Sequence, residues 1–192
     1  MNQSRRLAIG LVTVGVLIAV TPTALAGNYK IDAEHSQVLF RVKHLGVSYN
    51  YGRFNDVSGS YSFDPDDPSS YSFEVTIKTD SVDTHSERRD QHLKSPDFFN
   101  SKQFPVIRFK SKSVKIKGEG LEATGELTLH GVKKDVTVGI EHVGSGDDPW
   151  GNYRSGFVTT FAVKRSDFDM NFMMGALGDE VTLMVNIEGI RE

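Results

Sequence analysis

The chain has 192 residues, no cysteine, 38% hydrophobic residues and a formal net charge of −3. This length provides one sizeable hydrophobic core and is short for two domains. The weakly acidic balance disfavours nucleic acid or an anionic membrane surface as the main partner, and the lack of cysteine excludes disulfides and thiol chemistry.

The N-terminal region, residues 1–26, has the three parts of a secretory signal peptide. Two arginines form a basic start, an apolar run follows from Leu7 to Val20, and Ala24 and Ala26 supply the small residues of a cleavage site. As a helix the apolar run spans about 21 Å, short of the roughly 30 Å hydrocarbon core of a bilayer. An uncleaved membrane anchor is the alternative. We predict a cleaved signal peptide, a mature domain over residues 27–192 and a periplasmic location.

After the signal peptide, the dominant pattern is an alternation of apolar and polar residues, which is typical of β-strands with one buried face. The alternating runs are QVLFRVKH (37–44), YSFEVTIKT (71–79), VIRFKSKSVKIK (106–117), LEATGELTLHG (121–131), DVTVGIEHVG (135–144), GFVTTFAVKR (156–165) and EVTLMVNIEGI (180–190), with one or two more between Tyr51 and Phe63. Turn signals such as DPDDPSS (64–70) and GSGDDPWGN (144–152) separate them. About eight such strands indicate a sheet that closes on itself or packs on a second sheet.

A charged stretch, VDTHSERRDQHLKSPDFF (82–99), interrupts the alternation. Thr84 and Glu87 have the spacing of a capping box, and the Ser-Pro-Asp at 95–97 ends the helix that the box would start. We predict one short helical insertion near residues 85–100. A helix this short and polar is marginal alone, so its position depends on what the following phenylalanines contact. It is either a surface connection or a lid over one end of a barrel.

Five segments follow one another in an order and spacing that are more specific than any single short motif. They are YKIDAEHSQVLFRVKHLGVSYNYGRFNDVSGSYSFD (29–64), SVDTHSERRDQHLKSPDFFN (81–100), FPVIRFKSKSVK (104–115), GELTLHGVKKDVTV (125–138) and GDDPWGNYRSGF (146–157). Together they resemble the YceI family over essentially the whole mature chain, and most closely its periplasmic members from enteric and related Gram-negative bacteria. The resemblance implies an all-β fold, an eight-stranded antiparallel lipocalin-like barrel. It also implies an apolar tunnel for a polyisoprenoid, isoprenoid quinone or fatty-acid derivative, and transfers no enzymatic motif.

A barrel of eight strands is just wide enough to be filled by side chains or to hold one small ligand. Its inward apolar residues are the predicted cavity wall, although residues that only pack against neighbours are of the same types. The predicted ligand-binding residues are Phe40, Val42, His44, Ile77, Arg88, Phe98, Phe99, Ile107, Phe109, Leu127, Leu129, Phe161, Leu183 and Val185. His44 is included because it alternates with Val42, and Arg88 because a guanidinium binds a carbonyl or diphosphate head group well. Further head-group candidates are Arg53, His85, Arg89 and His92.

Two rival functions remain open. Glu87 with His92, or Asp90 with His85, would form the acid/base pair of a hydrolase or isomerase acting on lipids. No nucleophile elbow, metal-ligand signature or phosphate loop accompanies either pair, so we predict no enzyme, no catalytic residue and no metal. The second rival is a non-enzymatic envelope interaction or stress protein with a packed barrel, for which the loop around Trp150 is the candidate contact.

The predicted function is therefore a carrier or buffer for one long-chain isoprenoid or lipid, with no cofactor other than that bound molecule. No nucleic acid is expected as a partner. Transient contact with a membrane is compatible with this role, and the oligomeric state is left open, with a dimer among the alternatives. If the helix is a lid, Phe99→Ala is expected to speed ligand release.

Overall fold

The computed structural model describes residues 26–192, so the predicted signal peptide, apart from Ala26, lies outside the described residues. The described part contains eleven strands: β1 (Gly27–Ile31), β2 (Gln37–His44), β3 (Ser48–Phe54), β4 (Val57–Phe63), β5 (Ser72–Lys78), β6 (Val82–Asp83), β7 (Val106–Lys117), β8 (Gly120–Leu129), β9 (Val132–Asp147), β10 (Tyr153–Lys164) and β11 (Leu177–Arg191). Its helices are α1 (Glu87–Leu93) and the short 3-10 helices Pro68–Ser70, Thr79–Ser81 and Arg165–Phe168. Within residues 26–192, no helix has the length and apolar composition needed to cross a bilayer.

Eight strands form a closed antiparallel barrel, as predicted. The order around the ring is β1, β4, β5, β7, β8, β9, β10 and β11, and the pairing of β11 with β1 closes it. The remaining strands, β2, β3 and β6, extend the sheet from β11. They do not form a second layer. β1 and β2 pair with successive parts of β11, so they lie end to end in the same sheet, and β3 and β6 lie end to end with β4 and β5 in the same way.

The strand interruptions lie side by side in the sheet. The Asn55 N–H donates to the Ser81 carbonyl at 3.1 Å, which joins the break between β3 and β4 to the break between β5 and β6. In the break between β1 and β2, the Asp32 N–H donates to the Glu188 carbonyl at 2.9 Å, and the Ser36 hydroxyl accepts from the Glu188 N–H at 3.0 Å. These backbone groups are therefore hydrogen-bonded although the ladder is broken.

The helical insertion begins two residues later than the predicted range, and the predicted capping box does not form. Ser86 is the N-cap residue, and its side chain makes no capping hydrogen bond. Thr84 instead donates to the Asp90 carboxylate, from its backbone N–H at 2.9 Å and from its hydroxyl at 2.5 Å. The Arg89 guanidinium donates to the Thr84 carbonyl at 2.7 Å. The threonine hydroxyl thus ties the chain before the helix to the middle of α1.

Aromatic rings fill the barrel at the end away from α1. Phe157 makes edge-on contacts with Tyr61, Phe63 and Phe73, at centroid distances of 5.1–5.2 Å. We call these four residues the aromatic plug. All four are at most 6% exposed, so the plug seals this end.

Candidate functional site: an apolar cavity

An apolar cavity runs through the barrel from α1 to the aromatic plug. Its volume is about 190 Å³, measured as the space open to the centre of a water molecule. One water molecule needs only roughly 10–15 Å³ by the same measure. The inward side chains therefore leave a hollow interior, which is inconsistent with the alternative of a solidly packed barrel.

Most of the predicted ligand-binding residues lie around this cavity. The twelve that line it are Phe40, Val42, Ile77, Phe98, Phe99, Ile107, Phe109, Leu127, Leu129, Phe161, Leu183 and Val185. They come from six strands and from the segment after α1, and the barrel brings them together because alternation points one face of every strand inward. Contact between these side chains and a ligand stays a prediction.

The other two predicted residues, His44 and Arg88, do not line the cavity. His44 is the last residue of β2, where the strand turns towards β3, and its backbone is paired with Leu177 at the barrel rim. Arg88 is exposed on the first turn of α1. The helix presents Leu93 to the cavity, and this orientation leaves the arginine in solvent.

Sequence reasoning also missed part of the lining. The lining residues that it did not assign are Val38, Phe54, Phe73, Val75, Leu93, Val138, Ile140, Phe157, Val158, Thr159, Val163, Arg165, Met170, Leu177, Val181 and Ile187. Most of them stand on the inward face of a strand, and the alternating pattern contained that signal. Arg165 and Met170 lie in the connection between β10 and β11, where no periodic pattern identifies an inward position.

Two wall phenylalanines lie over glycines of neighbouring strands. Phe40 is paired with Gly52, and a Cβ atom at Gly52 would overlap the Phe40 ring. A Cβ atom at Gly125 would lie 2.7 Å from the Phe109 ring. Because glycine has no side chain to push these rings away, they cover the backbone instead of crossing the cavity.

Thr159 and Arg165 are the only polar side chains on the cavity lining in the described part of the chain. The Thr159 hydroxyl donates to the Gly139 carbonyl at 2.6 Å. Arg165 is 4% exposed, and burial lowers the pKa of its guanidinium, although nearby Asp179 opposes this effect. The guanidinium donates, at 2.7–3.2 Å, to the backbone carbonyls of Met170, Phe172, Leu177 and Gly178. These bonds hold the loop before β11 in place and give the buried guanidinium N–H groups their acceptors within the protein.

The end of the barrel next to α1, which we call the helix end, is covered by two phenylalanines. The Phe99 ring meets Phe54 of β3 edge-on at 5.4 Å, and the Phe98 ring meets Phe172 of the loop before β11 at 5.4 Å. Phe98 is 8% exposed. The charged insertion is therefore fastened across the cavity through its aromatic residues.

The acid/base pairs considered for an enzyme do not form. His92 Nε2 lies 2.8 Å from Asp97 Oδ2, and both side chains are almost half exposed, at 45% and 46%. Asp90 accepts the hydrogen bonds of Thr84 instead of meeting His85. None of these polar groups lines the cavity.

Comparison with known proteins decides the family. The YceI-like domain family matches residues 29–189. The chain belongs to the YceI family. A curated YceI relative, the UPF0312 protein of Pseudomonas aeruginosa (strain LESB58), is 44% identical over 186 residues, which cover 96% of this chain and 97% of the relative.

Solved structures show the same YceI fold. The Campylobacter jejuni YCEI protein has a TM-score of 0.70 and 35% identity, with 78% of this chain and 90% of that chain covered. A polyisoprenoid binding domain from Saccharophagus degradans has a TM-score of 0.63 and covers 85% of this chain and 98% of that chain. Its identity is only 16%, so this likeness shows the fold alone.

Proposed function

We propose that this YceI protein is an exported, periplasmic carrier or buffer that holds one long apolar chain of the polyisoprenoid, isoprenoid quinone or fatty-acid class. The observation that carries the proposal is the hollow interior, whose lining is apolar and whose two polar side chains are already hydrogen-bonded. A chain of methylene or isoprene units matches such a lining, because it needs no polar partner. The description of the Saccharophagus degradans domain as polyisoprenoid binding supports the same ligand class.

The energetics favour a carrier that releases its ligand over a protein that binds the ligand too tightly to release it. Moving one methylene group from water into an apolar site contributes about 0.8 kcal/mol, so a long chain would reach the affinity ceiling of roughly 20 kcal/mol against water. The competing environment for such a chain is the bilayer, which is equally apolar. Net transfer from membrane to cavity is then close to zero per methylene. This balance supports a protein that exchanges the lipid with the membrane in both directions and performs no chemical step on it.

Extraction of the purified protein with organic solvent, followed by mass spectrometry, tests the proposal. We expect one long-chain lipid per protein molecule, and we expect the recovered lipids to share one tail length. Protein that yields no stoichiometric lipid, and that takes up no fatty acid or isoprenoid quinone when incubated with either, would contradict the carrier function.

A cation on the cavity wall should abolish lipid retention. Phe109→Arg places a guanidinium in an apolar space, where an unpaired charge costs several kcal/mol or draws water in. The matched control is Lys110→Arg, which places the same group one residue later, where the native side chain is 67% exposed. Lipid per folded protein, measured by mass spectrometry and circular dichroism, should fall only in Phe109→Arg. Equal retention in the two variants would remove Phe109 from the ligand site.

A further inference from the structure

The pairing of β9 with β10 covers only part of each strand. The last ladder pair is Val158 with Glu141. Beyond it, residues 159–164 of β10 pair only with β11, and residues 132–140 of β9 pair only with β8. No other strand of residues 26–192 pairs with these two facing edges. The barrel wall therefore has an interval without ladder hydrogen bonds, which we call the window.

The window is bounded at both ends by polar contacts. At one end, next to the last ladder pair, the Thr159 hydroxyl donates to the Gly139 carbonyl at 2.6 Å. At the other end, Lys134 Nζ lies 3.1 Å from Asp167 Oδ1 in the 3-10 helix that follows β10. The edge between these contacts, residues 160–164, is about 16 Å long at a rise of about 3.3 Å per residue. The interval extends to the end of β10 and the start of β9, and the exposed Lys134–Asp167 ion pair spans it there.

The side chains around the window belong to the cavity. Phe161 and Val163 of β10 and Val138 of β9 all line it. Phe157 lies on the same face of β10, at a position where β10 is paired with both β9 and β11, and it is 2% exposed. Past the end of the pairing, Phe161 and Val163 are only partly buried. Side chains alone, with no ladder, therefore separate the cavity from solvent here.

We propose that the window is the portal through which an apolar chain enters and leaves the cavity. The proposal rests on the proposed function, because it requires a cavity that holds such a chain. Passage between β9 and β10 needs only rotation of side chains such as Phe161 and Val163, and rotamer changes are fast. Passage between any two fully paired strands would break a row of backbone hydrogen bonds.

Entry beneath α1 is the competing route, and the helix end is more firmly fastened. Thr84 and Asp90 are joined by two hydrogen bonds, and Arg89 donates to the Thr84 carbonyl. The Phe99 N–H donates to the Leu93 carbonyl at 2.9 Å. These bonds hold the insertion together as one unit, and lifting that unit would break the ring contacts of Phe99 with Phe54 and of Phe98 with Phe172. Opening the window breaks no ladder bond.

A covalent bridge across the window tests the portal, and the cysteine-free chain gives a clean background. Continuing the register of the last ladder pair places Ala162 opposite Thr137, both on the outer face. Thr137→Cys and Ala162→Cys, joined by a short bis-maleimide, close the window. The matched control joins Ala162→Cys to Thr182→Cys, since Ala162 pairs with Thr182 across the intact β10–β11 ladder. Intact mass confirms each bridge.

Uptake is followed by stopped flow as the fluorescence rise of cis-parinaric acid, a polyene fatty acid, mixed with the purified protein. We expect the window bridge to slow uptake about tenfold or more, with the final amplitude unchanged, and the control bridge to change neither. Uptake that stays equally fast across the bridged window overturns the portal and assigns entry to the helix end, while the carrier function stands. No fluorescence rise in the unbridged protein overturns the carrier function and, with it, the portal.

Discussion

Arg154 joins three carboxylates near the seam where β11 closes on β1. Its guanidinium nitrogens lie 2.7 Å from carboxylate oxygens of Asp32, Asp148 and Glu188. The arginine side chain is 18% exposed, so the pairs are partly shielded from water. Asp32, His35 and Glu188 offer donor atoms within 4.8 Å of one another, as a cation site would. The guanidinium already supplies positive charge there, and the cluster is therefore explained as a structural ion-pair network.

We expect Arg154→Met to destabilise the protein by about 2–4 kcal/mol, because three neighbouring carboxylates lose their shared cation. Hydrogen bonding to Arg154 lowers the pKa of Asp32 from 3.8 to about 2. A lowered carboxylate pKa contributes stability that is present above the ordinary pKa and is lost as the pH falls through the lowered one. The stability difference between the wild type and Arg154→Met should therefore shrink between about pH 4 and about pH 2.

Urea unfolding along a pH series measures both effects. Arg154→Lys is the matched control, since it keeps the charge but cannot bind three carboxylates through a planar fork, and we expect an intermediate loss. Equal stability of Arg154→Met and the wild type at neutral pH would show that the network contributes nothing to the barrel seam.

At the scale of single residues, period-2 alternation predicted the cavity wall well and the polar residues poorly. Phe40 and Val42 line the cavity as the alternation predicts, because an inward position in a strand is fixed by its neighbours, and their contact with a ligand stays a prediction. The same rule failed for His44, because the strand ends there. Arg165 was missed because its role comes from four carbonyls, two in the loop before β11 and two at the start of β11, and no local pattern encodes them.

At the scale of elements, long strands were predictable and short segments were not. β2 and β7 begin and end where the alternating runs at 37–44 and 106–117 do. The one or two strands expected between Tyr51 and Phe63 are present as β3 and β4, although β3 begins earlier, at Ser48. β1 and β6, with five and two residues, are too short for a period to show. Their positions follow from pairing with distant strands, which single-sequence patterns do not contain.

The structure of α1 should depend on Phe99. The helix has seven residues, far below the length at which an isolated helix is stable, so the ring contact with Phe54 must hold it in place. We expect Phe99→Ala to cost about 2–4 kcal/mol locally and to remove hydrogen-exchange protection from the amides of α1. Amides of the central barrel strands should stay protected.

Gln91→Ala is the control for this experiment, because Gln91 is exposed on the same helix and its removal takes away no core contact. Hydrogen exchange read by mass spectrometry compares the two variants peptide by peptide. Unchanged protection of α1 in Phe99→Ala would mean that Thr84 and Asp90 suffice to hold the helix, and that the aromatic contact is incidental.

At the scale of the whole molecule, the pattern predicted about eight strands where the described chain has eleven, and it did not predict the closed and interrupted wall. Pattern alone left a barrel and a two-sheet packing open, and resemblance to YceI proteins decided between them. The closing pair, β1 with β11, joins the two ends of the described chain. The alternation of β9 and β10 also continues without change past the last ladder pair. Nothing local in the sequence shows where the pairing of two strands stops.

The aromatic plug should set the maximum length of the bound chain, because the other end of the cavity is covered by the segment around α1. Phe157 and Phe73 form the last part of the cavity lining, whereas Phe63 packs behind Phe157 and does not line it. We expect Phe157→Ala to deepen the cavity and to cost about 3–5 kcal/mol of stability. The recovered lipids, or the affinities for a series of fatty acids, should then shift towards longer tails.

Phe63→Ala separates length selection from general damage to the core. It removes the same ring from the same plug and should destabilise the protein comparably, since Phe63 is 4% exposed. Because Phe63 does not reach the cavity, tail length should stay that of the wild type. Mass spectrometry of extracted lipid from both variants decides the matter. If tail lengths change equally in both variants, or in neither, the plug seals the barrel but does not set the tail length of the bound lipid.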